Sequence, residues 1–301
     1  MAESDPELTV AICTRNRRAL VLRALASLAT QDASVRWSVL VVDNASEDDT
    51  RAAVSAFASD FPVPLAVASE PLRGLSAARN RALAVAAARV VVFLDDDATC
   101  RAGWVDAHAR GLAARDVVAT GGRILPVLPE ALPEPWRAFL ARELGGPTGH
   151  YDFGLEPQDC GAGGAALPFG GNLGVVRAAA LAIGGFRTDL GWGTRMIPGE
   201  ETELLLRLAR GPGRIRYLPD AVIDHHIDPE RASLAYYLRW YRGLGRSRAR
   251  LDPPASRRER ARRVALQLAR AARWSVSGRH PLALREREHA LGHALELLRR
   301  D

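Results

Sequence analysis

Short β-branched runs alternate with longer alanine-rich stretches over the first 126 residues, and this alternation restricts the folds open to the chain. The runs LTVAIC, SVLVVD, PLAVAS and RVVVFL have the composition of strands, and the segments between them, 17–30, 48–60 and 74–88, have helical length and periodicity. Strands that alternate with helices build a mainly parallel sheet covered by helices on both faces. We therefore predict an α/β fold.

The remainder of the chain is predicted to extend this fold and then to become helical. Residues 126–168 are rich in proline and glycine, which indicates loops around one helix near 136–144. The later segments PFGGNLGVVR and GEETELLLRLAR are typical of a strand and a helix, and IRYLPDAVIDHHI indicates two short strands. From residue 231 the pattern is helical, with breaks at 252–256 and 277–281.

Composition indicates a globular protein without a disulfide framework. The chain has 301 residues, 48% of them hydrophobic, which is enough for a sizeable core. Its three cysteines, Cys13, Cys100 and Cys160, are an odd number without the spacing of a zinc site, so we expect packing roles. The apolar stretch 82–94 is shorter than the ~20 residues that span a bilayer. Because the acidic start MAESDPELTV is unlike a secretory signal, we expect a cytoplasmic protein.

Charge is distributed unevenly, and all 41 basic residues are arginine. Residues 239–301 contain 17 arginines against six acidic residues, whereas residues 1–238 contain 24 arginines against 29 acidic residues. Apolar residues are interleaved with the arginines of this tail at roughly helical spacing, namely Val264, Leu266, Leu268 and Trp274. The tail is therefore either a solvated helix face packed on the main domain or a basic amphipathic helix that meets anionic lipid or an anionic acceptor.

Polar residues follow three of the predicted strands, and open α/β sheets bind ligands at this position. They are Thr14, Arg15 and Asn16 after the first strand, Asp43 and Asn44 after the second, and Asp95, Asp96 and Asp97 after the fourth. The last three are adjacent carboxylates, which repel one another strongly in any medium drier than bulk water. A cation is therefore expected beside them. Mg²⁺ or Mn²⁺ suits such a site, because these ions are commonly bound through one or two carboxylates together with substrate phosphates.

A series of motifs resembles the family 2 glycosyltransferases, which have the GT-A fold. In chain order they are VAICTRNR, VVDNASEDDT, PLRGLSAARNRAL, FLDDDA, FGGNLGVVR, GGFRTDLGWG and GEETELLLRL. The resemblance runs from residue 8 to about residue 250, and FLDDDA matches the DxD motif of that family. It implies transfer of a sugar from a nucleoside diphosphate sugar to an acceptor hydroxyl, with inversion at the anomeric carbon and Mn²⁺ or Mg²⁺ as cofactor.

The same resemblance divides the chain and assigns its residues. It implies a donor-binding half over 1–125, an acceptor-binding and catalytic half of the same domain over 126–230, and an arginine-rich helical extension over 231–301. The residues expected to contact the donor nucleotide are Thr14, Arg15, Asn16, Asp43, Asn44, Arg79, Asp95 and Asp96. The expected metal ligands are Asp97, Asp95 and His225, and the acceptor side is expected to include Gly171, Asn172 and Trp192.

Two glutamates are candidates for the base that takes the proton of the acceptor hydroxyl. The family commonly has Glu-Asp where this chain has Glu200 and Glu201, and the aspartate is its usual base. The motif therefore favours Glu201. Glu200 stays the alternative, because adjacent helical residues point about 100° apart and only one of them can aim well at the acceptor. Asp189 is the next candidate if neither glutamate acts.

Three other functions compete with this interpretation. Residues 95–99 also fit the DxDxT pattern of haloacid-dehalogenase-like phosphatases, but in those proteins the first aspartate follows the first strand, whereas this cluster follows the fourth. A dinucleotide-binding oxidoreductase is disfavoured, because the first strand leads into CTRNRRAL and not into a G-x-G-x-x-G turn. The basic tail alone indicates a nucleic-acid-binding module, but its aromatic residues are concentrated in YYLRWY. We therefore expect no nucleic-acid partner.

Overall fold

The strands predicted for the first third of the chain lie side by side in one sheet. The structure is a computed structural model that describes residues 5–161, 164–193, 197–252, 256–276 and 280–298. Its first elements are β1 (Leu8–Thr14), α1 (Arg18–Ala29), β2 (Trp37–Asp43), α2 (Thr50–Phe57), β3 (Leu65–Ser69), α3 (Leu75–Val85) and β4 (Val90–Leu94). The four strands pair in parallel in the order β3-β2-β1-β4, which confirms the predicted alternation.

Later strands extend the same sheet and introduce antiparallel pairs. The elements that follow are β5 (Ala98–Cys100), α4 (Trp104–Gly111), β6 (Val117–Val127), α5 (Glu134–Arg142), β7 (Gln158–Asp159), β8 (Asn172–Val176), α6 (Arg177–Ala182), α7 (Glu200–Leu208) and β9 (Arg214–His226). Strand β8 is antiparallel to β4 and β6, β9 is parallel to β6, and β5 and β7 are antiparallel to β9. The predicted α/β fold, a central sheet flanked by helices, is confirmed.

Both faces of the sheet are covered, and β1 contributes to a separate core on each face. Val10 and Ile12 share one core with Leu25 of α1. Ala11 lies between them in sequence and shares the opposite core with Ala82 of α3. Successive side chains of a strand point to opposite faces, so a strand covered on both sides needs an unbroken apolar run. This requirement explains the composition of LTVAIC.

Three helices complete the chain: α8 (Leu234–Leu251), α9 (Arg257–Val276) and α10 (His280–Leu298). Leu140 of α5 shares an apolar core with Tyr237 and Trp240 of α8, α10 packs on α8, and α9 packs on α10. The predicted breaks fall between these helices, although 253–255 and 277–279 lie outside the described residues. None of the helices in the described ranges is both long and apolar enough to span a membrane. The domain boundaries at 125 and 230 stay predictions.

The prediction of two short strands in IRYLPDAVIDHHI is wrong, because one strand, β9, covers this segment. The pairing register with β6 shifts between Gly122 and Ile124, which leaves Pro219 without a partner on β6 while the strand continues on both sides. Strand β6 itself is absent from the sequence prediction, because a glycine pair interrupts its apolar run. A Cβ on Gly122 would lie 2.0 Å from the carbonyl oxygen of Ala221, so this close approach of two strands requires glycine.

The sheet brings several chain segments to one edge. The carboxyl ends of β1, β2 and β4 meet there because these strands are parallel. The turn after β4 carries Asp96 and Asp97 into β5, whose first residue, Ala98, is paired with His225 near the end of β9. Side chains from both halves of the chain therefore converge beyond the strand ends, where ligands bind in open α/β sheets.

Candidate active site

A cavity of about 540 Å³ opens at this edge of the sheet, a volume typical of small-molecule sites. Its walls come from the ends of β1 and β4, the start of α7 and the connection between β9 and α8. The predicted residues that line it are Thr14, Arg15, Asn44, Arg79, Asp95, Asp96, Asp97, Gly171, Trp192, Glu200, Glu201 and His225. The predicted residues in the described ranges that do not line it are Asn16, Asp43 and Asn172, together with Asp189, the reserve candidate for the base.

Asp96 is held by groups that follow β1. Thr14 Oγ1 donates a hydrogen bond to Asp96 Oδ2 at 2.7 Å, and Arg17 Nη1 donates to Oδ1 at 2.8 Å. Burial raises the pKa of Asp96 to about 6. The positive charge of Arg17 lowers this pKa, and the negative charge of Asp97 raises it further. The contacts to Thr14 and Arg17 tie the turn after β4 to the loop after β1.

Asp97 lies between two arginines and a histidine. Its Oδ2 accepts hydrogen bonds from Arg17 Nη1 at 3.1 Å and from Arg231 Nη1. Its Oδ1 lies 3.2 Å from His225 Nε2, and neither of these buried atoms has a hydrogen-bond partner among the described residues. Burial opposes ionisation, but the neighbouring positive charges, Arg231 and Arg17 among them, hold the pKa of Asp97 well below its usual range. The Asp97 side chain is therefore a carboxylate at neutral pH.

The environment of His225 fixes which of its ring nitrogens can bind a ligand. The ring Nδ1 lies 2.7 Å from the carbonyl oxygen of Thr148. A carbonyl oxygen only accepts hydrogen bonds, so Nδ1 carries the proton and the Nε2 of a neutral ring presents its lone pair to Asp97 Oδ1. Metal-ligating histidines are commonly oriented by this kind of contact at the other ring nitrogen.

Asp97 Oδ1 and His225 Nε2 fit a divalent cation, because they are buried ligand atoms that face each other without a hydrogen bond between them. Nowhere in the described ranges, this site included, are three or more His, Cys, Asp or Glu side chains arranged to hold a metal. The other ligands would therefore come from water and a bound substrate. This division is usual for Mg²⁺, which is often held by one or two carboxylates and substrate phosphates.

Arg79 connects the start of α7 to the turn after β4. Its side chain is buried, and Nη1 donates to Glu200 Oε1 at 2.7 Å while Nη2 lies 3.4 Å from Asp95 Oδ1. A Cβ on Gly170 would lie 2.4 Å from Arg79 Nη2, so any other residue at 170 would displace the guanidinium from this position. Glu200 Oε2 accepts a further hydrogen bond from the backbone N–H of Gly199 at 3.1 Å. Both carboxylate oxygens of Glu200 therefore have partners within the protein.

Glu201 has a different environment at the same end of α7. It is buried, lines the cavity and forms no ion pair with another residue in the part of the chain that the structure describes. Burial and the negative charge of Glu200 raise the pKa of Glu201 to about 8, against the opposing charge of Arg79. A base acts most efficiently when its pKa lies near the working pH. Of the two glutamates, Glu201 is thus the one suited to exchange a proton with a ligand.

The raised pKa of Glu201 predicts that Glu201→Gln stabilises the fold increasingly as pH rises. Unfolded glutamate has a pKa of ~4.3, so between that value and about 8 the native state binds a proton that the unfolded state has released. The stability contributed by this proton is therefore lost progressively over that interval and is gone once the pH has passed about 8, whereas glutamine does not ionise. Thermal unfolding at constant ionic strength should show the variant's Tm advantage increasing from about pH 5 to about pH 9. A Tm difference independent of pH would contradict the assignment.

Residues predicted for the nucleotide mostly organise the loops around the cavity. Asn44 Nδ2 donates to the carbonyl oxygens of Glu70 and Leu72, and its Oδ1 accepts from Gly74 N at 2.8 Å. Arg15 Nε donates to the carbonyl oxygen of Ala45 at 3.2 Å. Asn44 and Arg15 therefore connect the cavity wall to the loops that follow β2 and β3.

Asn16 and Asp43 lie beside the cavity, not in its lining. Asn16 has a left-handed backbone, with φ of 54°, and its Oδ1 accepts a hydrogen bond from Glu47 N at 2.7 Å. Asp43 is buried at the end of β2, and its Oδ1 has no hydrogen-bond partner within the described residues. Asn16 thus links the loops after β1 and β2, while Asp43 keeps an unused acceptor next to the cavity.

The acceptor-side prediction for Asn172 requires correction. Asn172 is fully buried, its Nδ2 donates to the carbonyl oxygens of Arg123 and Ala221, and its Oδ1 lies 2.9 Å from both Trp104 Nε1 and His108 Nε2. These contacts hold α4, β6 and β9 around β8, so the amide has a structural role. Its position one residue after Gly171, which does line the cavity, explains the misassignment.

Trp192 lies in the wall of the cavity, whereas Asp189 does not. Trp192 lines the cavity and stacks on Tyr236, with ring centroids 6.0 Å apart and planes 10° apart. Asp189, the reserve candidate for the base, is not among the lining residues; its side chain is 48% exposed and pairs with Arg187 at 2.9 Å. Asp189 is therefore poorly placed to act within this cavity.

Several residues that line the cavity are absent from the sequence predictions, among them the cations Arg17 and Arg231 and the aromatic residues Tyr236 and Trp240. The repulsion within the carboxylate cluster indicated that cations were needed, and we assigned that role to a metal alone. Arg17 was within the motif VAICTRNR, so the signal for it was present. Arg231 had no comparable signal, because it lies 134 positions from Asp97 in a tail with many arginines.

Comparisons with known proteins show which family the sequence is similar to. The sequence profile of the family described as glycosyl transferase family 2 matches residues 9–157. The chain is 25% identical over 254 residues to the succinoglycan biosynthesis protein ExoM of Rhizobium meliloti, a match that covers 83% of this chain and 77% of that protein. It is also 25% identical over 196 residues to a glucosyl-dolichyl phosphate glucuronosyltransferase of Haloferax volcanii, covering 63% of this chain and 58% of the relative.

Solved structures show the same fold. A mannosyltransferase from Pyrobaculum calidifontis, determined in complex with GDP-Man and Mn²⁺, superposes with a TM-score of 0.63 at 20% identity and covers 98% of this chain and 88% of that one. S. aureus TarS residues 1–349, in complex with UDP-GlcNAc, superposes with a TM-score of 0.59 at 14% identity and covers 96% of this chain and 92% of that one. At these identities the likeness shows a GT-A fold.

Proposed function

Because this chain belongs to the family 2 glycosyltransferases, we propose that it transfers a sugar from a nucleoside diphosphate sugar to an acceptor hydroxyl, with inversion and with a divalent metal. One observation carries the proposal. A single cavity contains a carboxylate–imidazole pair suited to a cation and, at the start of α7, a buried glutamate with a raised pKa. The named complexes of structural relatives with GDP-Man and UDP-GlcNAc support a nucleotide-sugar donor.

In the proposed reaction, Asp97 and His225 hold Mn²⁺ or Mg²⁺ through the two atoms that face each other. The bound metal would act as a Lewis acid that stabilises the charge developing on the leaving diphosphate. Asp95, whose side chain is 37% exposed within the cavity, lies beside this pair and is proposed to contact the ribose or the metal's waters. Asp43, with its unused buried acceptor, is proposed to receive a hydrogen bond from the donor base.

Glu201 is the proposed base. An attacking hydroxyl must lose its proton as it bonds to the anomeric carbon, and a positioned carboxylate accepts that proton. The ion pair of Glu200 with Arg79 supports this choice, because it occupies Glu200 and leaves Glu201 available. Attack on the ring face opposite the leaving diphosphate inverts the centre in one displacement. On the acceptor side, Trp192 and Gly171 are the proposed contacts.

A panel of nucleoside diphosphate sugars tests the proposed function. Purified protein is incubated with each donor and Mn²⁺, or with each donor and EDTA, and release of the nucleoside diphosphate is measured. We expect one donor, or one group of donors with the same base, to be consumed only when the metal is present. Consumption of no donor, together with release of phosphate from p-nitrophenyl phosphate, would instead favour the phosphatase alternative.

The exposed apolar and basic residues of α9 support a peripheral contact with an anionic membrane, which we propose as a second property of the protein. Leu266 and Leu268 are 51% and 48% exposed, although both are large apolar residues. Among the side chains of this helix that the structure describes, Arg258, Arg262, Arg270 and Arg273 are exposed. In basic amphipathic helices that lie in the membrane interface, apolar burial and attraction to anionic lipid add together. The side chain of Trp274, predicted for this face, lies outside the described residues.

Co-sedimentation with vesicles checks the membrane contact. We expect binding to vesicles that contain phosphatidylglycerol at low salt, weaker binding at high salt because the charges are screened, and little binding to phosphatidylcholine alone. The double variant Leu266→Ser, Leu268→Ser should bind more weakly at both salt concentrations. Absence of binding to the anionic vesicles at low salt would exclude this contact.

A further inference from the structure

Arg231 is a positively charged residue that lies beside the proposed cation site. It lies in the connection between β9 and α8, six residues after His225, and its guanidinium is hydrogen-bonded to Asp97 Oδ2. The turn that presents it is fixed by Asp228, whose Oδ1 accepts the backbone N–H of Arg231 at 2.8 Å and whose carbonyl oxygen accepts the N–H of Ala232. The same short segment thus carries a proposed metal ligand and a cation that contacts the other metal ligand.

The carboxylate of Asp97 is shared between two kinds of partner. Its Oδ2 accepts from Arg231 and Arg17, whereas its Oδ1 faces His225 Nε2. A divalent ion held by Oδ1 and Nε2 would lie within a few ångströms of Arg231, whose side chain is only 17% exposed. Like charges at that distance repel strongly when they are shielded from water. The two arginines also neutralise much of the negative charge that would attract a cation.

An anionic ligand in the same cavity changes this balance. Arg17 and Arg231 both line the cavity, as do the carboxylates that they contact. The two phosphates of a nucleoside diphosphate would supply negative charge to the arginines and oxygen ligands to the metal at once. Diphosphate and metal would therefore each make the site more favourable for the other, and such a coupling is necessarily reciprocal.

We propose that Arg231 makes metal binding depend on the nucleotide: it opposes a cation at Asp97 and His225 until a diphosphate is bound beside it. The inference rests on the proposed donor and metal, and adds an order to their binding. In this scheme Arg231 acts on the metal in two ways: its charge repels the ion, and its hydrogen bond to Asp97 Oδ2 offsets the negative charge of that ligand. A purely structural role would predict that its removal weakens metal binding, whereas this proposal predicts the opposite when no nucleotide is present.

The test is the affinity for Mn²⁺ alone and for Mn²⁺ with saturating UDP or GDP, measured by calorimetry on the full chain. In wild type we expect Mn²⁺ to bind at least ~10-fold more tightly with the nucleotide than without it, a coupling of ordinary size. In Arg231→Gln we expect tighter binding of Mn²⁺ alone and weaker binding of the nucleotide, so that the coupling falls. Arg231→Lys, which keeps the charge, should stay close to wild type.

Arg239→Gln is the matched control. The Arg239 guanidinium also lies over the Tyr236 ring, at 5.2 Å against 5.8 Å for Arg231, but its ion pair is with the exposed Glu230 and not with Asp97. We expect its Mn²⁺ affinities to match wild type. Unchanged or weaker binding of Mn²⁺ alone in Arg231→Gln overturns the inference, as does a wild type without coupling. A wild type that binds Mn²⁺ neither alone nor with a nucleotide would instead overturn the proposed function itself.

Discussion

Glu201→Gln is expected to reduce sugar transfer by at least ~10²-fold while leaving Mn²⁺ and nucleotide affinity unchanged, because general-base catalysis typically contributes ~10²- to 10⁴-fold. Glutamine has nearly the same size as glutamate but cannot take the acceptor's proton. Initial rates at saturating donor, with calorimetry of the nucleoside diphosphate on the same preparation, separate lost chemistry from lost binding. The wild-type rate should also increase with pH through the range near 8, as Glu201 ionises.

Glu200→Gln provides the matched comparison, since the two residues are adjacent on α7 but have different partners. This variant weakens the buried ion pair with Arg79, so we expect a lower free energy of unfolding. Breaking a buried pair costs up to about 3–5 kcal/mol, and the remaining contact of Arg79 with Asp95 should keep the loss below that limit. If Glu200→Gln abolishes transfer and Glu201→Gln leaves it near wild type, the base is Glu200 and not Glu201.

Asp97→Asn should abolish the metal dependence of nucleotide binding. The substitution keeps the side chain's size but removes the charge that attracts the cation at Oδ1. Removal of groups that only orient metal ligands already costs 10- to 100-fold in affinity, so loss of a ligand's charge should cost more than about 100-fold. Calorimetric titration of UDP or GDP, with Mn²⁺ and with EDTA, measures the effect.

Asp224→Asn is the control for Asp97→Asn. Asp224 precedes His225 on β9, and its carboxylate pairs with Arg101 at 2.7 Å, away from the residues that line the cavity. We expect it to bind the nucleotide and Mn²⁺ as wild type does. An unchanged Mn²⁺-dependent affinity in Asp97→Asn, with a folded variant, would remove Asp97 from the metal site.

Local periodicity was sufficient to predict the sheet in the first third of the chain. The strands β1, β2 and β4 are covered on both faces, so each requires a continuous apolar run that is visible without knowledge of its neighbours. The same logic fails for β6, where close strand packing selects Gly122, a residue that normally signals the end of a strand. Tertiary packing, which short sequence windows do not contain, decided this element.

Some residues of the candidate site could likewise be predicted from the sequence, and others could not. The sequence indicated that the cluster at Asp96 and Asp97 needs a cation, because mutual repulsion of carboxylates depends only on their adjacency. It could not identify Arg231, since that contact exists only after β9 places its segment beside β5. Asn172 is the converse case, a polar residue in a functional motif whose amide is used entirely by buried neighbours.

The anomeric configuration of the sugar that leaves the donor is the most direct test of metal-assisted, single-step transfer with Glu201 as base. Proton NMR in the first minutes of reaction, with the donor chosen by the panel and with water as the acceptor, distinguishes the anomers before they equilibrate. We predict that the first sugar released has the configuration opposite to that of the donor, that its formation requires Mn²⁺ or Mg²⁺, and that Glu201→Gln suppresses it. Release with the donor's own configuration, or at an equal rate in EDTA, would contradict the mechanism.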